Sequence, residues 1–388
     1  MDKKGINMAI MQLVDFYFPN DAMSKLAKAM HTMDLDISPN SLLVIDFVTT
    51  ATRELRYDTT MKPFYVRTSS KIPISTMIKY FFKLKSKREY INLYLKNLSY
   101  FDKDLGKKVN NAEVRVWHNP QHFSSWWKVQ KHDIIFWHNF TYPYLINDAS
   151  YANLMASELA HLKLYNDLDI LWLMHSSFNL KSLRHYGIDP EKYEIIPAPH
   201  PFKLPYIKHD SKEPHLLVYS RYGRNKAHPE VAELASEHKY KLTMFGDNST
   251  TIEYKEEYQK AKLLAPNDAR VLGKQDNETM EYLFRQANIY LSNSYHEGQG
   301  VPIIESYAHS LPVIVRNGTA MSEFVKEGET GFTFSDINEV PELIGKILKD
   351  YDSFSYNAWK HSQNFTYERF KGRYLKIIER YKRIKNNG

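Results

Sequence analysis

Cysteine is absent from this chain of 388 residues. Its absence excludes a disulfide scaffold, a thiolate zinc site and a cysteine nucleophile, and it suits a reducing compartment. Glycine and proline are scarce, with 14 and 17 residues, which excludes collagen-like and low-complexity chains. No apolar run approaches the ~18 residues of a membrane-spanning helix, and residues 1–19 lack the features of a signal peptide. The sequence therefore predicts a cytoplasmic protein, attached at most to the inner face of the plasma membrane.

Positive charge is in moderate excess, because 52 Lys and Arg residues stand against 45 Asp and Glu residues and give a net charge of +7. Such a balance suits an anionic partner, namely a phosphate, a nucleotide or an anionic membrane surface. No basic stripe is concentrated enough to predict nucleic-acid binding. The hydrophobic and charged fractions, 43% and 25%, are those of an ordinary globular protein.

Apolar runs alternate with helix-like segments along the whole chain, which predicts an α/β fold with mainly parallel sheets. Strands are predicted at residues 9–14, 42–48, 133–137, 168–174, 193–197, 215–220, 242–246, 271–273, 287–292 and 312–315, and a helix at 22–33. Five prolines between Pro197 and Pro214 mark a linker. We expect two Rossmann-like domains, residues 1–200 and 201–355, that face each other across a cleft with ligands at the carboxyl ends of the strands.

The C-terminal segment, residues 356–388, is a basic amphipathic helix by its pattern. Its apolar residues recur at helical spacing among many lysines and arginines: Phe370, Tyr374, Ile377, Ile378 and Tyr381. One interpretation is a helix that packs on the N-terminal domain with a solvated basic face, and the other is a contact with an anionic membrane or ligand. A second basic stretch, Ile74–Arg88, allows either an ordinary surface helix or a lipid contact.

The segment 295–305 carries the clearest chemistry. Gly298 and Gly300 let the backbone approach a ligand closely, and Pro302 suits the first position of a helix. The N-terminus of such a helix binds anions, of which a phosphate is the natural one. Glu297 and Glu305 flank the turn, so one carboxylate can reach a sugar and the other a ribose. A generic strand–loop–helix turn with two exposed acids is the alternative.

A second loop adds positive charge. Arg221 and Lys226 lie five positions apart across a turn, so both can point at one dianion, whereas Arg224 is expected to face solvent. Both segments resemble glycosyltransferase family 4 (glycosyl transferases group 1), retaining enzymes of the GT-B fold that use sugar nucleotides. The resemblance runs in order over residues 215–335. Its elements are Arg221 with Lys226, Phe245–Asp247, Leu272-Gly273 with Glu278, Ser294–Glu305, Pro312-Val313, Asn317-Gly318, Glu323 and Thr330–Phe332.

The resemblance implies a role for each matched residue. Arg221 and Lys226 would hold the diphosphate, Glu297 would contact the donor sugar, and Glu305 would bind the ribose. Backbone groups and the base-side loop complete the donor site: Gly298, Gly300, Val301, Gly273 and Lys274.

The first half of the chain resembles the family less. Phe18–Asp21 stands where many members have a Gly-Gly loop. His138 follows a strand where several members place a histidine near the donor sugar, although a structural histidine is the alternative. Ser176 and Ser177 occupy the place of an interdomain serine and are expected to line the cleft.

The implied function is transfer of a hexose, with retention, from a UDP- or GDP-sugar to a glycan or lipid-linked acceptor in lipopolysaccharide or capsule biosynthesis. No permanently bound cofactor is expected, and no metal either, because Arg, Lys and a helix N-terminus supply the positive charge. The three Asp-x-Asp sequences, at 34–36, 102–104 and 167–169, are therefore interpreted as chance. The alternatives are a sugar-nucleotide epimerase or phosphorylase of the same fold, and a non-catalytic sugar-nucleotide-binding partner.

Overall fold

The computed structural model describes part of the chain and divides it into two compact units. The described residues are 10–17, 30, 33, 42–48, 64–66, 112–118, 129–138, 162–163, 165–166 and 168–387. Among them, unit 1 takes the residues up to Met174, Leu180–Ile196 and those from Lys371 onwards, and unit 2 takes His175–Asn179 and Pro197–Phe370. The predicted helix at 22–33 is described only at its helical, buried residues Met30 and Met33. The loop Phe18–Asp21 and the stretch Ile74–Arg88 lie outside the described residues.

Unit 1 contains, in its described part, one parallel sheet of seven strands. These are β1 (Ile10–Tyr17), β2 (Leu42–Val48), β3 (Phe64–Val66), β4 (Val114–His118), β5 (Ile134–Trp137), β6 (Leu171–Met174) and β7 (Tyr193–Ile195). Their order is β3-β2-β1-β4-β5-β6-β7, which begins with the doubly wound Rossmann order. The five strands predicted in this half are confirmed, whereas β3 and β4 were not predicted.

Strand β4 escaped prediction because its apolar pattern is broken by polar residues. Arg115 is buried and reaches Asp133 Oδ1 over 2.7 Å, and Trp117 Nε1 donates to Asp133 Oδ2 over 2.8 Å. Burial raises the pKa of the Asp133 carboxyl, which Arg115 and these hydrogen bonds only partly offset. The buried charges are therefore tolerated as a hydrogen-bonded pair inside the sheet.

The helices that the structure describes are numbered in chain order. They are α1 (Ser177–His185), α2 (His228–Glu237), α3 (Ile252–Leu264), α4 (Asn277–Gln286), α5 (Val301–Ala308), α6 (Val340–Lys349), α7 (Tyr351–Ser362) and α8 (Tyr367–Asn387). The C-terminal helix expected over 356–388 is thus two helices, separated by a 3₁₀ turn at Gln363–Phe365 and the extended Thr366. None of the helices described here is long and apolar enough to cross a membrane.

Helix α8 buries the apolar stripe that its sequence predicted. All five stripe residues are at most 4% exposed. The Tyr381 hydroxyl donates to the Asp133 carbonyl over 2.9 Å. On the basic side, Arg380 pairs with Glu194, and Arg373 donates to the Ile195 carbonyl over 2.6 Å. These contacts, all within unit 1, support the interpretation of α8 as a packed helix.

Unit 2 is built on a parallel sheet that has six strands among the described residues. They are β8 (His215–Tyr219), β9 (Lys241–Phe245), β10 (Arg270–Val271), β11 (Ile289–Ser292), β12 (Val313–Arg316) and β13 (Gly331–Phe334). The order β10-β9-β8-β11-β12-β13 is again the Rossmann order. Five of these strands were predicted. Parallel strands are covered on both faces, which explains why they appear in the sequence as short continuous apolar runs.

Candidate active site

Two loops leave neighbouring strands of the unit 2 sheet at the same edge. Residues 220–227 follow β8, and residues 293–300 follow β11, which pairs with β8. The chain order of the strands reverses here, so this is the switch point at which doubly wound folds bind ligands. The Tyr295 N–H donates to the Asn225 carbonyl over 2.9 Å and joins the two loops. Predicted residues from both loops thus come together.

Lys226 and Glu297 form an ion pair across these loops. Lys226 Nζ donates to Glu297 Oε1, and the two side chains are only 7% and 14% exposed. Removing either partner of such a buried pair leaves an uncompensated charge. An ammonium carries three donors, so Lys226 can hold Glu297 and a phosphate oxygen together. Burial lowers the pKa of the adjacent His296 to about 4, so this residue adds no charge at neutral pH.

The two arginines of the first loop differ from Lys226 in exposure. Arg221 is exposed, and its guanidinium carbon lies 5.9 Å from the centre of the Tyr254 ring. Arg224 is also exposed and pairs with Glu256 over 3.7 Å, as expected for a residue that faces solvent. Of the predicted pair of cations, Lys226 is therefore buried at the edge of the sheet, whereas Arg221 is exposed.

Helix α5 begins directly after the glycine-containing loop. Gly300 has φ of +75°, a conformation that disfavours other residues, and a Cβ there would lie 2.4 Å from the Met321 side chain. The helix starts at Val301, so Pro302 takes its second position and not its first. Ile303 N–H donates to the Gly300 carbonyl over 3.0 Å. Because Pro302 has no N–H, the Val301 N–H is the donor of this first turn that is left for an anion.

Glu305 lies on the second turn of α5, which begins at Val301. It is partly buried, and its carboxylate acts on Tyr219, the last residue of β8. Burial raises the pKa of the Tyr219 hydroxyl, and the Glu305 carboxylate raises it further. Glu305 and the Lys226–Glu297 pair therefore belong to the same end of the β8–β11 pair.

The loop after β10 carries the residues predicted to lie near the base. The Gly273 carbonyl accepts hydrogen bonds from the Gly246 N–H over 3.3 Å and from the Gln275 side chain over 3.1 Å. Burial raises the pKa of the Asp247 carboxyl, but hydrogen bonds from the following turn and the charge of Lys274 hold it below its usual value. The loops after β9 and β10 are thus bonded to each other at the same edge of the sheet.

His138 belongs to unit 1, where it follows β5. Its Nε2 lies 2.8 Å from His118 Nδ1, and its ring stacks on Phe136 with a centroid distance of 4.8 Å. Both histidines are at most 9% exposed. This packing is what the structural interpretation of His138 predicts, and its role near a donor sugar stays a prediction.

One network beside the switch point was missed from the sequence. The Arg316 guanidinium lies 4.3 Å from the centre of the Tyr295 ring and donates to Asn293 Oδ1 over 2.8 Å. The Asn293 amide and the Tyr295 hydroxyl both donate to Glu230, over 2.6 and 3.2 Å. An arginine at the carboxyl end of a strand next to β11 was the available signal. The network braces the loop that carries Glu297.

A capping contact links two residues that the family resemblance singled out. The Ser177 N–H and hydroxyl donate to the Glu323 carboxylate over 2.8 and 2.6 Å. A carboxylate at the first residue of α1 complements the helix dipole. The resemblance had named both residues without indicating that they touch.

Comparison with known proteins gives a family match to the part of the chain that contains most of these site residues. Residues 203–364 match the family model described as Glycosyl transferases group 1. This stretch, the group 1 domain, is similar to the glycosyltransferases of that group. The chain is 32% identical over 91 residues to the O-antigen chain mannosyltransferase B of Escherichia coli, covering 24% of this chain and 22% of that protein. It is also 32% identical over 123 residues to a probable sucrose-phosphate synthase of Thermosipho melanesiensis, covering 31% of this chain and 28% of that protein. The chain thus spans less than a third of the length of these curated relatives.

The fold is similar over nearly the whole chain to that of a solved structure with bound UDP and glucose. The crystal structure of Anabaena Alr3699/HepE in complex with UDP and glucose superposes with a TM-score of 0.71 at 16% identity. The superposition covers 96% of this chain and 99% of that one. At this identity the likeness concerns the fold alone, and it confirms the α/β GT-B fold that the resemblance implied.

The structure describes only one aspartate of the three Asp-x-Asp sequences, Asp169. In the described residues, no group of three or more His, Asp or Glu side chains is placed to hold a metal ion. Asp169, the one described end of the third motif, pairs with Lys192 and lies 3.6 Å from His132. The other two motifs lie outside the residues that the structure describes.

Proposed function

We propose that the chain is a retaining hexosyltransferase of glycosyltransferase family 4. It would move a hexose from a nucleoside-diphosphate sugar, with UDP or GDP as the nucleotide, to a glycan or a lipid-linked acceptor. The observation that carries the proposal is the buried Lys226–Glu297 pair at the switch point, beside the N-terminus of α5. This sheet edge suits a sugar diphosphate, because it combines a cation, a carboxylate that can accept hydrogen bonds from sugar hydroxyls, and a helix N-terminus.

The chemistry assigned to these residues is stabilisation of the leaving group. The bond between the anomeric carbon and the phosphate oxygen breaks, its electron pair stays on the diphosphate, and the acceptor oxygen bonds to the same face of the sugar. The acceptor proton passes to the departing phosphate. Lys226, Arg221 and the Val301 N–H would hold the negative charge that develops, which is the electrostatic contribution that lowers such barriers most. Glu297 would orient the sugar and Glu305 the ribose.

The acceptor assignment rests on one of the relatives. The O-antigen mannosyltransferase among the relatives favours a surface polysaccharide, lipopolysaccharide or capsule, and therefore cytoplasmic synthesis at the inner membrane face. Of the two basic stretches proposed to contact that membrane, the one in α8 already has Arg373 and Arg380 bonded within unit 1. Flotation with anionic liposomes at low salt tests this part, and a protein that stays at the bottom of the gradient contradicts it.

A transfer assay with a radiolabelled sugar nucleotide tests the main proposal. Lys226→Ala and Glu305→Ala should each lower kcat/KM by about 100-fold or more, since each removes a charged group that bonds the donor. Arg224→Ala is the matched control, because it removes a neighbouring exposed cation and should stay within about threefold of wild type. Equal rates in all three variants would contradict the site. An α-linked product from an α-linked donor, seen by proton NMR, would support retention, and a β-linked product would exclude it.

A further inference from the structure

The loop after β11, residues 293–300, is the donor loop of the proposed function. Gln299 lies between its two glycines and is buried, with 4% of its surface exposed. Its carboxamide makes two hydrogen bonds to one residue of a distant segment. The Ala198 N–H donates to Gln299 Oε1 over 2.6 Å, and Gln299 Nε2 donates to the Ala198 carbonyl over 3.1 Å. The side chain thus pairs with both backbone groups of Ala198, as a neighbouring strand would, and uses one donor and one acceptor of its amide.

A second anchor holds the residue before it. Ser176, which is 1% exposed, has its Oγ 2.9 Å from the Gly298 carbonyl oxygen. Ser176 and Ala198 both belong to unit 2. Each is the second residue of a segment in which the chain enters that unit, at His175 and at Pro197. The donor loop is therefore bonded through its backbone and through Gln299 to the two entry segments.

Loops with two glycines have many accessible conformations, and fixing their residues costs conformational entropy. A ligand that must order such a loop binds more weakly, because that entropy is lost on binding. Two-point bonding of Gln299 removes this freedom before the ligand arrives. The backbone groups concerned are those of Gly298, Gly300 and Val301, which the proposed function aims at the diphosphate and the sugar.

We infer that Gln299 is a positioning residue of the donor site: it holds the glycine loop in its binding conformation without touching the ligand. The inference rests on the proposed function. It accounts for a buried amide between the two glycines of this loop. It also assigns an energetic role to a residue outside the charged set of Lys226, Glu297 and Glu305.

Gln299→Glu is the sharpest test, because the shape is kept and one donor becomes an acceptor. An ionised carboxylate cannot donate to the Ala198 carbonyl and repels it, whereas a protonated carboxyl can donate as the amide does. We expect affinity for the best-bound of UDP, GDP, ADP and TDP to fall about tenfold at pH 8 and to recover as the pH falls towards 5.5. Wild-type protein titrated over the same range is the reference for the pH dependence of all other groups.

Asn288→Asp is the matched control for burying a carboxyl. Asn288 is 1% exposed and its amide also bonds backbone, donating to the carbonyls of Asp210 and Glu213 over 2.8 and 2.7 Å, but it lies at the opposite end of β11. This variant should lose thermal stability and keep wild-type nucleotide affinity. Ser176→Ala, which stays neutral, provides a second variant of the loop itself and should weaken binding by about threefold.

The outcomes separate the two hypotheses. If Gln299→Glu binds nucleotide as wild type does at pH 8, the positioning role is wrong. It is also wrong if Gln299→Glu and Asn288→Asp lose affinity equally, or if the loss does not recover at low pH. If Gln299→Glu does not fold, an unchanged nucleotide affinity in Ser176→Ala contradicts the inference. If wild-type protein binds none of the four nucleotides, the proposed function fails and not the role of Gln299 alone.

Discussion

Replacement of Lys226 by alanine should weaken nucleoside diphosphate binding by about 100-fold. Adding Glu297→Gln to that variant should raise the affinity again by about tenfold. The first effect has two parts. A charge-assisted hydrogen bond to phosphate is worth about 1.5–3 kcal/mol, or roughly 10- to 150-fold in affinity. In addition, the loss of the ammonium leaves the Glu297 carboxylate, which is 14% exposed, unneutralised beside the incoming anion.

The repulsion can be estimated from the ion pair. An ammonium that bonds a carboxylate on one side and a phosphate on the other keeps them at most about 5.6 Å apart, which is two hydrogen-bond lengths. At an effective dielectric constant of about 20, two unit charges at that distance repel by about 3 kcal/mol. Solvent and salt reduce this to about 1–1.5 kcal/mol at a partly exposed carboxylate. Glu297→Gln removes that repulsion and nothing else from the alanine background.

Isothermal titration calorimetry on four proteins measures both effects: wild type, Lys226→Ala, the double variant and Arg224→Ala. The control should bind as wild type does, since Arg224 is exposed and already paired with Glu256. The reasoning is refuted if Lys226→Ala binds within threefold of wild type. It is also refuted if the double variant binds no better than Lys226→Ala, because Glu297 would then not face the diphosphate.

Three further predictions concern stability. Gly246→Ala should lower the free energy of unfolding by about 2 kcal/mol or more, because its Cβ would lie 1.8 Å from the Ser220 carbonyl oxygen. A Cβ at Gly345 would have no atom within 4 Å, so Gly345→Ala should be neutral or stabilising by up to about 1 kcal/mol. Equal changes in the free energy of unfolding for the two glycine variants, measured by urea unfolding, would contradict both predictions. Burial lowers the pKa of His309 to about 4, so the unfolded chain takes up its proton first and stability is lost as the pH falls from about 6.5 towards 4. His309→Gln should reduce the loss between pH 7.5 and 4.5 by about 2 kcal/mol, and an unchanged difference in melting temperature between these pH values would contradict this. Ile378→Ala, at a fully buried position of α8, should cost about 3 kcal/mol, and a loss under 1 kcal/mol in urea unfolding would show that α8 is not packed on its unit.

The local sequence pattern was enough to predict those strands and helices that depend on a single segment of the chain. The apolar runs of the second half, from 215–220 to 312–315, are strands in the structure at those places. The sequence analysis assigned Lys226 and Glu297 to one donor site, but it did not predict the ion pair between them. Loops that follow neighbouring parallel strands share an edge of the sheet. The helix after Gly300 was expected from its local pattern, although it starts one residue earlier than Pro302 indicated.

Features that depend on distant pairing could not be predicted in this way. Arg115 in β4 is stable inside a sheet only because Asp133 lies opposite, and periodicity does not encode that partner. The bonding of Gln299 to Ala198 spans 101 positions, and nothing at either residue signals the other. Such contacts depend on strand order and on where the chain passes between the two units, which the alternation of apolar runs leaves open.

The most direct test of the central claim, that the group 1 domain binds a nucleoside diphosphate at the β8–β11 edge, is a thermal-shift comparison with UDP, GDP, ADP and TDP. At a ligand concentration of about 100 times Kd, binding stabilises the folded state by about 2.7 kcal/mol, which raises the melting temperature by several degrees. The account predicts such a rise with one of the four nucleotides in wild type and in Arg224→Ala, and its loss in Lys226→Ala. No rise with any of the four at millimolar concentration, or an equal rise in Lys226→Ala, would contradict it.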